Sequence, residues 1–341
     1  MELFAQSWEA RAREALAAKA KPPGSLGRLE DLAATLCVIQ ETLDIQTRPV
    51  QFTLFVADHG VATTGVTMWP QSVTAAVAQA SLAGVSGCAV LARSVGAALE
   101  IVDVGLTGAA LPVAAENWVS ARIREGSRDM SREPALTGDE FRAALAVGRA
   151  AAARAVASGA RILISGEAGI GNTTASACLT AFLCGENAEL AVGTGGGATP
   201  AILDSKQNIA RVAVARANAI AMAGGHEAAI ASVCGLEIAA MAGFYAEAAA
   251  RRTPVVLDGA VCGAAALIAE RMFPGSSRVM IAASLSPEPS HRLCLEALDL
   301  DPYLDWQMRL GEGTGALLFA PLLDAAAAIL REMAELQSFL R

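Results

Sequence analysis

The sequence is short of several residue types that a chain of its length normally uses freely. Aromatic residues fill 4% of the 341 positions and charged residues 18%, against 54% hydrophobic residues, most of the excess being alanine. A chain this apolar is not disordered. One so poor in aromatics and rich in alanine suits closely packed helices, in an α/β or all-α protein. Basic residues number 26 against 34 acidic ones, a net charge of −8, and no basic cluster or stripe appears, which excludes nucleic acid as a partner. The three histidines, His59, His226 and His291, lie far apart without metal-ligand spacing, so no metal site is expected. The cysteines (Cys37, Cys88, Cys178, Cys184, Cys234, Cys262 and Cys294) form no C-x-x-C pair and read as buried free thiols in a reducing cytoplasm. The N-terminal segment MELFAQSWEARAREALAAKAK holds acidic residues and no apolar core, unlike a signal peptide. The uncharged stretch Trp69 to Leu91 is long enough to cross a membrane but carries Gln71, Ser72, Thr74, Gln79, Ser81 and Ser86. It reads as a buried helix and its turn, with no membrane partner.

What is present is a rhythm of strands and helices. Five short apolar runs, FTLFVA (52–57), LEIVDV (99–104), RILIS (161–165), PVVLD (254–258) and RVMIAA (278–283), lack polar alternation, as buried parallel strands do. Alanine-rich segments such as DEFRAALAVGRAAAARAVASG and NIARVAVARANAIAMAGG have the length of covering helices. The pattern predicts an α/β fold with an open, mostly parallel, Rossmann-like sheet. Leu26, Leu29, Leu32, Leu36 and Ile39 share one helical face near the start, and residues 316–340 form another helical pattern interrupted at Pro321. The expected division is a large α/β substrate-binding domain, 46–294, and a small, mainly helical one built from 1–45 plus 295–341.

Each apolar run ends in polar or glycine residues: Asp58-His59-Gly60, Asp103-Val104-Gly105, Gly166-Glu167, Asp258-Gly259 and Ser284-Leu285-Ser286. Open α/β sheets bind ligands beyond the carboxyl ends of their strands. Any one such junction can be an ordinary turn; five together point to a site.

The third junction is the most informative. Gly166 to Thr173 read G-E-A-G-I-G-N-T, nearly the phosphate loop G-x-x-x-x-G-K-[ST] but with Asn172 in place of lysine. Backbone N–H groups at a helix start favour an anion, glycines allow close approach, and Thr173 and Thr174 add hydroxyls. Without the lysine that reaches β- and γ-phosphates, the loop suits a monophosphate. Its other reading is a threonine-capped strand-to-helix turn. In MRLGEGTGALL, Glu312 stands between Gly311 and Gly313 ahead of a helix. It reads either as a general base open to a ligand or as a charge favouring a helix start. Glu167 admits the same two readings. Lys206 reads either as a replacement for the missing loop lysine or as a surface charge.

The segments KPPGSLGRLEDLA, ADHGV, PQSVT, GEAGIGNTTASA, LDSK, GLEIAAMAG, VVLDG, SLSPEPSHR and MRLGEGTGA occur in this order. Together they resemble the nicotinate-nucleotide–dimethylbenzimidazole phosphoribosyltransferase family, which makes the lower-ligand nucleotide of cobalamin, from Lys21 to about Ala325. The resemblance implies transfer of phosphoribose from nicotinate mononucleotide to 5,6-dimethylbenzimidazole, without cofactor or metal, by a homodimer. It assigns Glu312 as general base and Glu167 as a second active-site glutamate. It places Gly171, Asn172, Thr173, Thr174 and Lys206 at the phosphate, with Ser286, Gly311 and Gly313 near the donor. Gln71 falls where the family lines its benzimidazole pocket. The sequence departs from the family pattern at Ala168, where methionine is usual, at Met68-Trp69, and at Cys234-Gly235-Leu236. The first two bear on the acceptor pocket, and Trp69 is placed to stack on a planar base or to fill core. Three alternatives remain in view: the same transfer to another benzimidazole, a purine or a phenol; a non-catalytic nucleotide-binding regulator; and a nucleotide triphosphatase, against which the absent lysine counts.

Overall fold

The computed structural model describes residues 7–108, 111 and 115–340. Its centre is a six-stranded, all-parallel sheet in the order β3-β2-β1-β4-β5-β6, from β1 (Val50–Ala57), β2 (Ala97–Gly105), β3 (Trp118–Ser120), β4 (Ile162–Ala168), β5 (Val255–Leu257) and β6 (Met280–Ala282). All five apolar runs are strands. The edge strand β3 was not expected: three residues, one of them serine, carry too short a pattern to read.

The order doubles back once. After β3 the chain returns to the other flank of β1 and lays down β4, β5 and β6, so the switch point lies between β1 and β4. The register pairs Leu54 with Gly166 and Phe55 with Glu167, which brings the ends of both strands to one crevice. Loops leaving adjacent strands in opposite directions open a gap at such a point, where α/β sheets bind ligands.

Alanine and glycine explain how helices cover the sheet so tightly. The helices Gly138–Ala157 and Leu236–Ala250 meet at Gly148 and Gly243. A methyl group on Gly148 would collide with the Ala240 carbonyl, and one on Gly243 with the Leu145 carbonyl. Leu236–Ala250 also lies against β1, β2 and β4, and nearly all its side chains are buried. The cysteines are free thiols, all buried except the half-buried Cys184.

The helix Arg28–Gln40 packs on Trp8–Ala17 and on Thr314–Glu332. Thr314–Glu332 runs unbroken through Pro321, contrary to the expected interruption. Pro321 stands on its exposed side, while Leu317, Phe319, Leu323, Ala326 and Ala327 are buried on the other. Burying those side chains, at about 1.5–3 kcal/mol for each large one, offsets the missing N–H bond. The uncharged stretch is two helices, Ser72–Leu82 and Gly87–Ser94, separated by a turn at Gly84. By length and apolarity alone, residues 72–94 and Thr314–Glu332 could cross a membrane; the first is broken by that turn and only 28% buried, so it is not the buried helix expected, and the second is 56% buried.

Candidate active site

A cleft of about 620 Å³ opens at the carboxyl edge of the sheet, over the switch point. The loop after β4 forms one wall. Gly171 caps the helix Asn172–Cys184 with a φ of 99°, a left-handed conformation natural to glycine. The N–H groups of Asn172 and Thr174 close turn bonds onto the carbonyls of Gly169 and Gly171, at 3.0 and 3.1 Å. Those two donors are therefore used within the turn, and the side chains beside it supply the charge.

Lys206 is that charge. It arrives from the helix Pro200–Met222, is 1% exposed, and donates from Nζ to the Gly193 carbonyl at 2.7 Å and to Thr173 Oγ1 at 3.2 Å. Burial lowers its pKa, while the nearby Glu288 carboxylate acts in the other direction. The surface-charge reading is thus excluded. The lysine missing from the loop is present in space, brought in from 34 positions beyond Asn172.

The opposite wall is the turn before Thr314–Glu332. Gly311, Glu312 and Gly313 have φ values of 79°, 58° and 77°, three left-handed residues in succession. For Glu312 this conformation costs about 1–2 kcal/mol, a strain typical of functional sites. Asp258, at the end of β5, holds the turn by accepting from Gly313 N at 3.1 Å and Gly315 N at 2.7 Å. The Glu312 side chain is 9% exposed and lines the cleft, where its Oε2 accepts from the Cys88 N–H at 3.3 Å. That N–H belongs to the first turn of Gly87–Ser94, so a helix start fixes the carboxylate.

The two walls touch. A Cβ on Gly166 would lie 2.5 Å from the Glu312 carbonyl oxygen, and one on Gly311 would lie 2.6 Å from Glu167 Oε1. Only glycine permits this approach, which sets Glu167 and Glu312 in one crevice. Glu167 is 8% exposed and its Oε2 accepts from the Asn172 amide. Burial, then the neighbouring Glu237, raise its pKa well above the usual carboxylate value; Asp258 and Glu312 add to this. Asp258 is pushed up to about 6, chiefly by burial.

Of the residues expected at the site, Met68, Trp69, Glu167, Gly171, Asn172, Thr173, Lys206, Ser286, Gly311 and Glu312 line this cleft. Met68 and Trp69 are each 52% exposed at its mouth, so Trp69 is not core filler. Gln71, Thr174 and Gly313 stand behind the lining: the Gln71 amide donates to the His59 carbonyl at 3.3 Å, the Thr174 hydroxyl is buried beside the loop, and Gly313 packs on Phe52 and Gly166. The Ala168 side chain also lines the cleft.

Further contributors lie beyond the residues expected at the site, among them Asp258 and His59, which stood at the polar strand ends. The turn Gly195–Gly197 borders the cleft, with Gly195 N donating to Glu288 Oε1 at 2.7 Å. Its run of three glycines before Thr199-Pro200, a threonine-capped helix start, was a readable signal. His59 and Glu237 lie beneath the loop, Nε2 to Oε1 at 2.6 Å, both essentially without exposure. Nothing in the local sequence pairs residues 178 positions apart.

Comparison with known proteins agrees with this fold. The family model described as Phosphoribosyltransferase matches residues 1–339. A nicotinate-nucleotide–dimethylbenzimidazole phosphoribosyltransferase of Chromobacterium violaceum is 42% identical over 327 residues, 95% of this chain and 92% of that one. One of Mycobacterium marinum is 42% identical over 332 residues, 96% of this chain and 90% of that one. The crystal structure of CobT from Thermus thermophilus superposes with a TM-score of 0.91 at 39% identity, covering 97% of both chains. The chain belongs to the nicotinate-nucleotide–dimethylbenzimidazole phosphoribosyltransferase family.

Proposed function

We propose that this protein transfers the 5-phosphoribosyl group of nicotinate mononucleotide to 5,6-dimethylbenzimidazole, giving α-ribazole 5′-phosphate and nicotinate. The observation that carries the reading is the apposition of two walls, one with a buried lysine beside a helix start and the other with a carboxylate on a strained turn. The donor's phosphate suits Lys206, Thr173 and the positive end of Asn172–Cys184, with Gly171 and Asn172 at the turn and Ser286, Gly311 and Gly313 around the sugar. A ring nitrogen of the base attacks the anomeric carbon with its lone pair. The bond to the pyridinium breaks, and its electrons neutralise the ring nitrogen as nicotinate leaves. The base becomes cationic unless its other N–H proton leaves, and Glu312 is the acceptor for it. Holding both rings in line supplies much of the remaining acceleration. Glu167 assists from the facing wall. Met68 and Trp69 border the acceptor's end of the cleft, with Gln71 behind them.

Incubation with nicotinate mononucleotide and 5,6-dimethylbenzimidazole tests this by product mass: α-ribazole 5′-phosphate is expected, and no product from either substrate refutes it. A second reading, the same transfer to a different lower-ligand base, is favoured by Ala168, whose short side chain lines the cleft. Competition between mixed bases decides between them by kcat/KM. We also read the enzyme as a cytoplasmic homodimer with the terminal segments, 1–45 plus 295–341, as its smaller helical domain.

A further inference from the structure

Four carboxylates converge at the cleft: Glu167 at the end of β4, Asp258 after β5 and Glu312 on its turn line it, and Glu237, in the first turn of Leu236–Ala250, lies beneath. Among the described residues, no ion pair reaches Glu167, Asp258 or Glu312. Two of the four have backbone donors: Asp258 has the N–H groups of Gly313 and Gly315, and Glu312 has that of Cys88. Glu237 has His59 Nε2 on one oxygen at 2.6 Å, while its Oε2 is buried without a partner. Glu167 has only the neutral Asn172 amide, on Oε2. Its Oε1 lies toward Gly311.

The Asn172 amide apart, the surroundings of Glu167 are hostile to a negative charge. Gly169, two residues along the same loop, packs against the His59–Glu237 pair: a Cβ there would lie 3.0 Å from Glu237 Oε1 and 3.1 Å from His59 Nε2. Asp258, Glu312 and the Cys262 thiol face Glu167 from the other packed elements. Like charges crowded into a dry site cannot all ionise. Glu237 has the His59 imidazole, Asp258 two backbone N–H groups and Glu312 the N–H of a helix start, which leaves Glu167, with one neutral side-chain amide, to keep its proton.

We infer that Glu237, held by His59, is a positioning residue that keeps Glu167 neutral, so that the cleft presents one proton acceptor, Glu312, and one hydrogen-bond donor, Glu167. This division of labour rests on the proposed reaction. Glu167 keeps its proton throughout and offers it as a hydrogen bond from Oε1 to a substrate oxygen, because the Asn172 amide occupies Oε2. The single proton released by the base goes to Glu312, so the balance of the reaction is unchanged.

The test is Glu237→Gln, which preserves shape and a hydrogen bond to His59 while removing charge. Without that charge Glu167 ionises more readily, so the alkaline limb of the kcat profile moves about one pH unit toward acid. In Glu167→Gln, which cannot ionise, that limb disappears whatever the height of the profile. An unmoved limb in Glu237→Gln overturns the inference. So does a limb that survives Glu167→Gln, since it would belong to another group such as Lys206. Infrared difference spectra between the wild type and Glu167→Gln, at neutral pH and without substrate, read the same claim directly. A protonated-carboxyl band in the wild type, titrating at lower pH in Glu237→Gln, supports it. Absence of the band in the wild type overturns it, even if Glu237→Gln does not fold. If the spectra behave as expected while no phosphoribosyl transfer occurs, the assigned reaction falls and the charge assignment stands.

Discussion

Glu140 and Glu167 are the same chemical group in opposite surroundings. Glu140 opens the helix Gly138–Ala157 far from the cleft, where it accepts from Arg124, Arg128 and the Thr137 N–H, completing a capping box. The Arg128 hydrogen bond leads the effects that take its pKa down to about 2. Glu167 is buried and meets one neutral amide and three carboxylates; burial first, then those carboxylates, raise its pKa well above the usual value. The first arrangement holds a helix in place. The second contributes no ion pair to the fold and makes physical sense only if a ligand or a proton completes it. Uncompensated carboxylates thus mark the site more clearly than the glycine loop does, because ordinary turns share the loop's residues.

Substitutions should separate the two regions cleanly, and the largest expected effect lies in the cleft. Glu312→Gln should lower kcat by about 10²–10⁴-fold with the donor's KM little changed, read by steady-state kinetics. A loss of the same size in KM alone would assign Glu312 to binding. Lys206→Met removes the cleft's buried cation while retaining a similar length, and should raise the donor's KM about 10- to 100-fold through loss of a charge-assisted hydrogen bond. Isothermal titration with nicotinate mononucleotide checks it.

Glu140→Gln should do the reverse, costing about 2 kcal/mol in urea unfolding at neutral pH while kinetics stay unchanged. Its sign with pH is fixed by the lowered value. The stabilisation is present above the ordinary carboxylate range and is lost as pH falls toward about 2, so the two proteins should converge in acid. Trp69→Ala, at the mouth, should have the smallest effect: a several-fold rise in the acceptor's KM, about 1 kcal/mol of lost stacking, with donor binding untouched.

The sequence exposed the strands and their polar ends because buried parallel strands are continuous apolar runs and each ended in a residue unusual for a core. It exposed Glu312, between two glycines, and Glu167, after Gly166, because a carboxylate in a glycine turn is unusual for a core. It left open whether Lys206 was surface or site, since only the reach of a helix from residue 200 onward carries Nζ to Thr173. It hid Glu237, a lone acid in an apolar helix, and Glu288, whose partner is a backbone N–H 93 positions away. The placement of Gln71, Thr174 and Gly313 behind the lining depends on the local course of the backbone at two helix starts and a turn, which no pattern of residue types records.

The most direct measurement is a crystal structure with nicotinate mononucleotide and 5,6-dimethylbenzimidazole both bound. The phosphate should sit against Lys206 Nζ and Thr173 Oγ1, and the base should turn its N–H toward Glu312 within hydrogen-bond reach, about 2.6–3.2 Å. A base bound with that N–H directed away from Glu312, or a phosphate lodged at the 311–313 turn, would contradict the account.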